Sequence, residues 1–418
     1  MLWRVFLAVA MVVVVLARSE AAPPPPNFVV ILADDLGYGE VGARRVGDVA
    51  TPNIDAIARA GVTFTDGYVT ANLCSPSRAG LLTGRYQQEF GVYGNPGKPP
   101  YPSRFGLPAA QVTLAEALKG RGYSTGIVGK WHLGVKPADN PLNHGFDEFF
   151  GVMDTDHPYF GEMKGNPILS GTTPVAASGY LTDTLAAEAV KFIRGHAGQK
   201  FFLYAPFTAA HSPYQAKPEI LARLGHIKNE KRRIFAAILI SLDEAVGKIT
   251  AALRAAGVAD NTVVVFLGDN GCGGCRNTLL RGGKGTNYEG GVRVPFLLSW
   301  PGRLQAGRRY AQPVIATDLF ATFLAAAGGA PAGVVDGVDL LPYLNGSRPG
   351  APHTYLFWGS KTSGGVRSGD WKLINGELYN LKSDLGEKTN VAAAHSDVVG
   401  RLRDARSAWA RGLAPVLW

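Results

Sequence analysis

The chain has 418 residues, of which 46% are hydrophobic and 18% are charged. This composition supplies enough apolar surface for a large core and excludes an intrinsically disordered chain. The formal net charge is +9, but the basic residues are spread along the sequence rather than clustered, so a nucleic-acid-binding function is not expected.

Residues 1–22 have the pattern of a secretory signal peptide, because Arg4 precedes an apolar run over residues 5–16 and small residues follow at Ala21 and Ala22. The alternative is an uncleaved membrane anchor, but the run is shorter than the roughly 20 residues that span a bilayer. We therefore expect an exported protein with no membrane attachment after cleavage. It would be periplasmic or secreted in a bacterium, which the Ala-, Gly- and Arg-rich composition favours, and lysosomal or extracellular in a eukaryote.

Apolar runs of strand length then alternate with helical patterns. The first run, NFVVILADDLG, suits a parallel strand that is buried on both faces. The next segment, TPNIDAIARAG, predicts a helix with Thr51 as N-cap, Pro52 at the first helical position and Gly61 as its stop. Further strands are predicted at residues 124–128, 201–204, 262–267 and 294–300. The alternation predicts an α/β fold with a large, mostly parallel sheet flanked by helices.

The pattern changes after about residue 351, where short β-like runs with Gly turns are followed by a helical segment, HSDVVGRLRDARSAWARGL. The length of the chain also suits one large domain and one small one. We therefore predict a catalytic domain over residues 27–350 and a small C-terminal subdomain over residues 351–418. The subdomain is expected to contain an antiparallel sheet and one terminal helix.

Polar side chains follow four of the predicted strands, at the sheet edge where ligands gather in open α/β folds. They are Asp34, Asp35, Lys130, His132, His211, Asp269 and Asn270. Each alone has a structural explanation as a cap, a turn residue or a satisfied buried histidine. Together, however, the three carboxylates would repel one another unless a cation lay between them. The set predicts a hard, oxygen-seeking ion such as Ca²⁺ or Mg²⁺.

The three cysteines raise a separate question. Cys272 and Cys275 are close enough in sequence to form a tight disulfide, although two packed thiols or a metal clip are alternatives. This leaves Cys74. A soft sulfur does not suit a hard cation, and nearby carboxylates raise a thiol pKa, so a reactive thiolate is not expected there. The conflict is removed if residue 74 is no longer a cysteine in the mature protein.

The segment CSPSRAGLLTGR, residues 74–85, contains C-x-P-x-R followed by T-G-R, and here the chain resembles the formylglycine-dependent sulfatases of the alkaline phosphatase superfamily. The segment GYSTGIVGKWHLG is similar to a second signature of that family. The likeness covers nearly all of residues 27–395, through ILADDLGYGE, FTAAHSP, GDNG, LRGGKGTNYEGGVRVP and WKLINGELYNLKSDLGEKTN. It implies an alkaline phosphatase-like fold and an enzyme that hydrolyses sulfate esters.

The resemblance implies that a formylglycine-generating enzyme oxidises Cys74 to an aldehyde after reading Cys74, Pro76 and Arg78 in the unfolded chain. One hydroxyl of the hydrated aldehyde would attack the sulfur of the substrate, and deprotonation of the other would expel sulfate. A serine in its place would keep a stable sulfate ester. Cys74 is therefore expected to be the precursor of the nucleophile.

The resemblance also implies a role for each polar residue. The metal, Ca²⁺ or Mg²⁺, would be held by Asp34, Asp35, the modified Cys74, Asp269 and Asn270. The remaining catalytic residues would be Arg78 and Lys130, which orient the diol, His132, which is the base for sulfate release, and His211 and Lys284, which bind sulfate and assist the leaving alcohol. Glu289, in YEGG, is expected to support the site structurally.

The expected substrate is a sulfated small molecule or glycan, most simply a sulfated carbohydrate, with aryl sulfates as artificial substrates. Specificity would come from the loops over residues 94–108 and 151–178, and Asp156 or His157 is a candidate for contact with substrate. Two alternative functions stay open. One is a phosphodiesterase or phosphonate monoester hydrolase of the same superfamily, and the other is a catalytically silent carbohydrate-binding protein with an unconverted Cys74.

Overall fold

The computed structural model describes residues 24–42, 48–96, 105–176, 179–277 and 279–418. The predicted signal peptide, residues 1–22, lies outside this part of the chain, as do parts of the predicted specificity loops 94–108 and 151–178. In the described segments, no helix combines the length and the apolar character needed to cross a bilayer.

Strands and helices alternate through the first three quarters of the chain. The strands are β1 (Asn27–Ala33), β2 (Val62–Phe64), β3 (Gly67–Tyr68), β4 (Ser124–Lys130), β5 (Glu148–Val152), β6 (Leu169–Ser170), β7 (Thr173–Pro174), β8 (Phe201–Pro206), β9 (Thr262–Gly268), β10 (Phe296–Ser299), β11 (Arg308–Tyr310), β12 (Val314–Ile315), β13 (Leu356–Gly359), β14 (Gly364–Ser368), β15 (Trp371–Ile374) and β16 (Glu377–Asn380). The helices are α1 (Pro52–Ala60), α2 (Cys74–Thr83), α3 (Leu114–Lys119), α4 (Leu181–His196), α5 (Pro218–Arg223), α6 (Glu230–Ala255), α7 (Glu289–Val292), α8 (Asp318–Ala326), α9 (Leu341–Leu344) and α10 (Ser396–Arg411). Short 3₁₀ turns lie at Gln87–Phe90, Pro137–Asp139, Pro141–His144, Ala259–Asn261 and Ala392–Ala394.

A ten-stranded sheet forms the centre of the large unit, in the order β11-β2-β10-β9-β1-β8-β4-β5-β6-β7. The five central strands, β9, β1, β8, β4 and β5, are mutually parallel. The prediction of a parallel core is therefore confirmed, but the strand predicted at residues 294–300 is antiparallel to β9, as β10. Antiparallel pairs also form the far edge, through β6 and β7, so the sheet as a whole is mixed.

The continuous apolar run of β1 reflects burial on both faces of the sheet. Val29 and Ile31 contribute to one hydrophobic cluster, which includes α4 and α6, whereas Val30 and Leu32 contribute to the opposite cluster, which includes α2 and α8. A strand that is covered on only one side would alternate with polar residues. Because both faces are occupied, the sites available to a ligand lie at the ends of the strands.

The small C-terminal sheet is four-stranded and antiparallel, in the order β13-β14-β15-β16, and α10 packs against β14 and β15. These elements match the predicted sheet and helix, while the boundary at residue 351 stays a prediction. The sheet is fastened to the large unit by buried polar contacts. Trp358 donates its indole N–H to the Val69 carbonyl at 2.7 Å, and Lys372 lies between Glu289 at 2.9 Å and Glu387 at 3.0 Å.

The start of α1 is capped from a distant part of the chain. Thr51 occupies the N-cap position and Pro52 follows it, as predicted, but the Thr51 side chain makes no capping hydrogen bond to the helix. Its hydroxyl instead donates to Asp55 at 3.0 Å. The backbone N–H groups of Asn53 and Ile54 donate to the carboxylate of Asp243 on α6, at 3.0 and 2.8 Å. This buried carboxylate links α1 to α6 and accepts the hydrogen bonds that an N-cap side chain would otherwise accept.

Substitution Asp243→Ala should lower the free energy of unfolding by about 2 kcal/mol, because it leaves buried N–H groups at the start of α1 without acceptors. Denaturant-induced unfolding of the purified protein measures this change. The matched control is Asp260→Ala, at an exposed carboxylate, which should change stability by less than about 0.5 kcal/mol. Equal effects of the two substitutions would show that Asp243 does not cap α1.

Candidate active site

The predicted polar residues lie together at the carboxyl edge of the central sheet. Asp34 and Asp35 directly follow β1, Asp269 and Asn270 follow β9, Lys130 is the last residue of β4, and His211 lies in the loop after β8. Parallel strands bring these groups to one edge, as the sequence analysis expected. Lys284 reaches the same place from the loop before α7, with its Nζ atom 2.8 Å from Asp35 Oδ2.

Cys74 is the first residue of α2 and is fully buried. Its Sγ atom lies 3.3 Å from Asp34 Oδ1 and 3.8 Å from Asp35 Oδ1. Pro76 fits the first turn of this helix because the first four N–H groups of a helix have no partner within it. The helix ends at Gly84, whose φ of 67° belongs to the left-handed region that glycine adopts at little cost. The motif therefore places residue 74 against the two aspartates.

Several side-chain atoms at this edge form a set of possible metal ligands. Ligand atoms of Asp34, Asp35, Cys74 and His211 lie within 4.8 Å of one another. The Asp35 N–H donates to Asp269 Oδ1 at 3.1 Å, which brings the third carboxylate into the group. His211 was predicted as a catalytic residue rather than a ligand, and its Nε2 atom lies 3.6 Å from Asp35 Oδ2.

A hard cation fits this donor set for a specific reason. The amide nitrogen of Asn270 donates to Asp35 Oδ1 at 2.8 Å and to the Gly271 carbonyl at 2.9 Å. Its carbonyl oxygen, Oδ1, is buried, and no hydrogen-bond donor of the described residues reaches it. A buried oxygen of this kind normally has a partner. With three neighbouring carboxylates, the chemistry suits Ca²⁺ or Mg²⁺ rather than a soft metal.

Two buried cations balance the carboxylates. Arg78 donates from Nε and Nη2 to Asp269 Oδ2 at 3.0 and 2.8 Å, and its Nη2 lies 3.5 Å from Asp34 Oδ2. Lys130 donates to Asp34 Oδ2 at 2.5 Å. Because neither cation is exposed to solvent, each depends on these aspartates for its stability in the folded chain.

Burial and the neighbouring charges shift the pKa values in opposite directions. Burial alone would raise the pKa of Asp34, but Lys130, His211 and Arg78 hold it well below its usual range. Burial and Asp34 raise the pKa of Asp269 to about 7, although Arg78 opposes this change. Without an added cation, ionisation of the Asp269 carboxyl group is therefore unfavourable.

The same surroundings make Cys74 a poor thiolate. Burial raises the pKa of its thiol well above the usual value, and Asp269 and Asp34 raise it further. An activated cysteine normally has a lowered pKa and lies near positive charge. The geometry therefore agrees with the expectation that a thiol is not the reacting group here.

His132 is buried in the same site, and its carbonyl oxygen accepts a 2.6 Å hydrogen bond from the hydroxyl of Ser75. Burial and Lys130 lower the pKa of the His132 ring well below its usual range, so the ring is neutral at neutral pH. Neither ring nitrogen has a hydrogen-bond partner among the described residues. A neutral imidazole of this kind is able to accept a proton.

Thr155 was not predicted as a site residue, but its Oγ1 accepts a 3.0 Å hydrogen bond from Lys130 Nζ. Asp156 and His157 were alternative candidates for contact with substrate. Asp156 approaches the site, because its Oδ1 lies 3.4 Å from His211 Nδ1. His157 is only 2% exposed and contacts the Pro158 carbonyl. These residues follow β5, which is parallel to β4 and was not predicted as a strand.

Two other features lie beside the site. Cys272 and Cys275 form a disulfide, which decides between the alternatives left open by the sequence. The Cys272 carbonyl accepts a 2.9 Å hydrogen bond from the Lys284 N–H, so the disulfide loop contacts the segment that carries this lysine. Glu289 does not contact these groups but accepts from Tyr68 at 2.7 Å, Lys372 at 2.9 Å and Arg293 at 3.0 Å, as a structural residue would.

Comparison with known proteins identifies related sequences and structures. The profile of the family described as Sulfatase matches residues 26–330. Arylsulfatase A of Bos taurus is 39% identical over 385 residues, which cover 83% of this chain and 74% of that protein. Steryl-sulfatase of Mus musculus is 34% identical over 422 residues, which cover 79% of this chain and 67% of that protein.

Among solved structures, Ps i-CgsB superposes with a TM-score of 0.88 and 34% identity over 94% of both chains, and it has also been crystallised with k-i-k-neocarrahexaose. Phosphonate monoester hydrolase of Agrobacterium radiobacter has a TM-score of 0.68 and 23% identity over 93% of this chain and 96% of that chain. At 23% identity, the similarity to the phosphonate monoester hydrolase shows a shared fold and no more.

Substitution Arg78→Met should lower the free energy of unfolding by about 3–5 kcal/mol in the presence of a chelator, because it removes one partner of a buried group of charges. Denaturant unfolding gives the value. Lys191→Met is the control, since Lys191 is 78% exposed, pairs with Glu188 on the surface of α4 and should contribute less than about 1 kcal/mol. A small and equal loss in both variants would contradict the role given to Arg78.

Proposed function

The chain belongs to the sulfatase family, and we propose that it is an exported enzyme that removes sulfate from carbohydrates by means of a formylglycine at position 74 and a divalent metal ion. Hydrolysis of sulfuric esters is the activity of the family. The observation that carries the finer proposal is the position of Cys74, inside C-x-P-x-R at the start of α2, within 3.3 Å of Asp34.

The metal ion would be held by Asp34, Asp35, Asp269 and Asn270, together with an oxygen at position 74. The orphaned Asn270 Oδ1 and the raised pKa of Asp269, which burial and Asp34 cause, support this assignment. When bound, a hard divalent ion polarises the sulfate oxygens of the substrate and makes its sulfur more electrophilic. Oxygen ligands alone suit both Ca²⁺ and Mg²⁺, and we propose Ca²⁺ as the resident ion.

Oxidation of Cys74 would replace the sulfur with an oxygen that is compatible with the metal set. One hydroxyl of the hydrated aldehyde would attack sulfur as the bond from sulfur to the alcohol oxygen breaks, and deprotonation of the second hydroxyl would expel sulfate by C–O cleavage and restore the aldehyde. Conversion requires a formylglycine-generating enzyme as a partner during maturation. The buried thiol with its raised pKa supports this reading, because it is unsuited to act as a nucleophile itself.

The chain's own residues would then bind and move protons. Asp34 and Thr155 hold Lys130, which would orient the diol at residue 74, while Arg78 holds Asp34 and Asp269. His132 is neutral and buried, so it is the base that accepts the proton when sulfate is released. Arg78, Lys130 and His132 thus serve the part of the site that surrounds residue 74.

His211 and Lys284 would serve the opposite side, where the alcohol leaves. Both lie against Asp35, with His211 Nε2 at 3.6 Å and Lys284 Nζ at 2.7 Å from its carboxylate oxygens. Donors placed at this position stabilise negative charge as it develops on the leaving oxygen. We propose that these two residues bind the sulfate group and deliver the proton to the leaving alcohol.

A carbohydrate substrate is supported by the complex of Ps i-CgsB with k-i-k-neocarrahexaose, since that structure covers nearly the whole chain.

Phosphonate hydrolysis is less favoured because the phosphonate monoester hydrolase of Agrobacterium radiobacter shares only the fold with this chain. Rates on 4-nitrophenyl sulfate and 4-nitrophenyl phosphate distinguish the two activities. The sulfate ester should be hydrolysed with the higher kcat/KM, and the reverse order would favour phosphorus chemistry.

The proposed metal predicts a change in stability. Ca²⁺ at about 100 times its Kd should raise the free energy of unfolding of the chelator-treated protein by about 2.7 kcal/mol. Asp269→Asn should reduce the shift at the same Ca²⁺ concentration, whereas Asp260→Asn, away from the site, should retain it. Titration with Mg²⁺ identifies the preferred ion. No shift with either ion would remove the metal from the proposal.

Substitution at residue 74 tests the nucleophile. With Cys74→Ser, incubation with 4-nitrophenyl sulfate should release at most one equivalent of nitrophenol and leave a covalent sulfate on the residue, because a single hydroxyl cannot expel it. Cys74→Ala should show neither release nor adduct. Intact-protein mass spectrometry and a burst assay measure both. Sustained turnover by Cys74→Ala would contradict a nucleophile at this position.

A further inference from the structure

Two carboxylates flank the candidate site on the segment that follows β5. Thr155 directs its hydroxyl to Lys130 Nζ at 3.0 Å, inside the site. The residues before and after it, Asp154 and Asp156, lie beside two different histidines. Asp154 Oδ1 lies 3.7 Å from His132 Nε2, and Asp156 Oδ1 lies 3.4 Å from His211 Nδ1. The two carboxylates therefore lie beside different groups of the proposed machinery.

These carboxylates lie at the mouth of the site rather than in its interior. The side chains of Asp154 and Asp156 are 37% and 40% exposed, whereas those of Arg78 and Lys130 are buried. The interior of the site thus pairs its cations with Asp34, Asp35 and Asp269, whereas the rim carries two partly exposed carboxylates. Because each carboxylate lies beside a histidine of the proposed machinery, both are within reach of groups next to the ester of a bound substrate.

Hydrogen bonds fix the segment that carries the rim carboxylates. The Thr155 N–H donates to Asp154 Oδ1 at 2.8 Å, and the Thr155 hydroxyl is 3.4 Å from Asp156 Oδ1. Buried Asn166 accepts from the Asp154 N–H at 3.2 Å and donates to the Thr155 carbonyl at 3.0 Å. Groups held in place before binding lose little freedom when a ligand arrives, which favours a recognition role.

We propose that Asp154 and Asp156 recognise hydroxyl groups of the sugar that carries the scissile sulfate, and that they exclude esters with a second anion beside it. An ionised carboxylate only accepts hydrogen bonds, and a sugar hydroxyl next to the ester is a donor of matching chemistry. A neighbouring sulfate or carboxylate would instead meet like charge. The inference rests on the proposed function and narrows its substrate to sugars that are neutral around the ester.

The competing explanation is that the two aspartates only position His132 and His211. Such a role would affect every substrate in the same proportion, because the histidines act on the ester group that all substrates share. Recognition of hydroxyls would affect only substrates that carry them. The ratio of kcat/KM for a sugar sulfate to kcat/KM for an aryl sulfate therefore separates the two roles.

The experiment compares 4-nitrophenyl sulfate, which has no hydroxyl, with the best substrate among methyl galactoside 2-, 4- and 6-sulfates. In Asp154→Asn and Asp156→Asn the sugar-to-aryl ratio should fall at least tenfold. The control Asp370→Asn removes an exposed carboxylate between β14 and β15 and should keep the wild-type ratio. A parallel loss on both substrates, with the ratio unchanged, would overturn the inference.

The wild-type protein supplies a second measurement that needs no variant. A galactoside with a second sulfate beside the reactive one should have a kcat/KM at least tenfold below that of the monosulfated sugar, and equal values would overturn the inference. So would hydrolysis of 4-nitrophenyl sulfate without hydrolysis of any of the three sugar sulfates. Failure of the sulfatase activity is distinguishable, because the aryl substrate itself would then not be hydrolysed.

Discussion

The site depends on the burial of opposite charges at one edge of a parallel sheet. Asp34 and Asp269 are almost completely buried; Lys130 and Arg78 lie against Asp34, and Arg78 lies against Asp269. The same two cations are the groups that we propose to orient the diol at residue 74. In the proposed mechanism the same side chains would serve both the stability of the fold and catalysis, so a change in either cation should affect both.

The fold supplies this arrangement through strand direction. The five central strands run parallel, and β1 is covered on both faces, so the polar residues that follow them converge at the same edge. Helix α2 adds Cys74 and Arg78 to this edge, one turn apart. Glu289 and Lys372 then fasten the C-terminal sheet through a separate buried group of charges. The site thus draws on residues from α2 and from the segments that follow β1, β4, β5, β8 and β9.

Much of this organisation could be predicted from the sequence, since uninterrupted apolar runs define strands and the polar residues after them define the edge. The sequence-specific motif around Cys74 and Arg78 added the nature of the chemistry. What the sequence did not predict has a common cause. The capping of α1 by Asp243 joins residues 190 positions apart, and no local pattern records such a contact. The direction of β10 was missed because an apolar run does not specify the orientation of its partner.

Asp154, Thr155 and Asp156 were missed or left open for a related reason. Their segment is short and polar, as a surface turn would be, and only the pairing of β5 with β4 places Thr155 beside Lys130. The order of the sheet decides which polar turn becomes part of the site, and a single sequence does not give that order. The interior of the site was therefore predictable from its buried strands, while its rim required the structure.

The central claim is that residue 74 works as an oxygen nucleophile made from a cysteine, seated beside a hard metal ion. The most direct measurement is the fraction of the protein that carries an aldehyde at residue 74, determined by peptide mass spectrometry on preparations with different extents of conversion, and compared with the rate per molecule on 4-nitrophenyl sulfate. The account predicts a rate proportional to the aldehyde fraction, with none at zero conversion. Full activity in protein that retains the Cys74 thiol would contradict it.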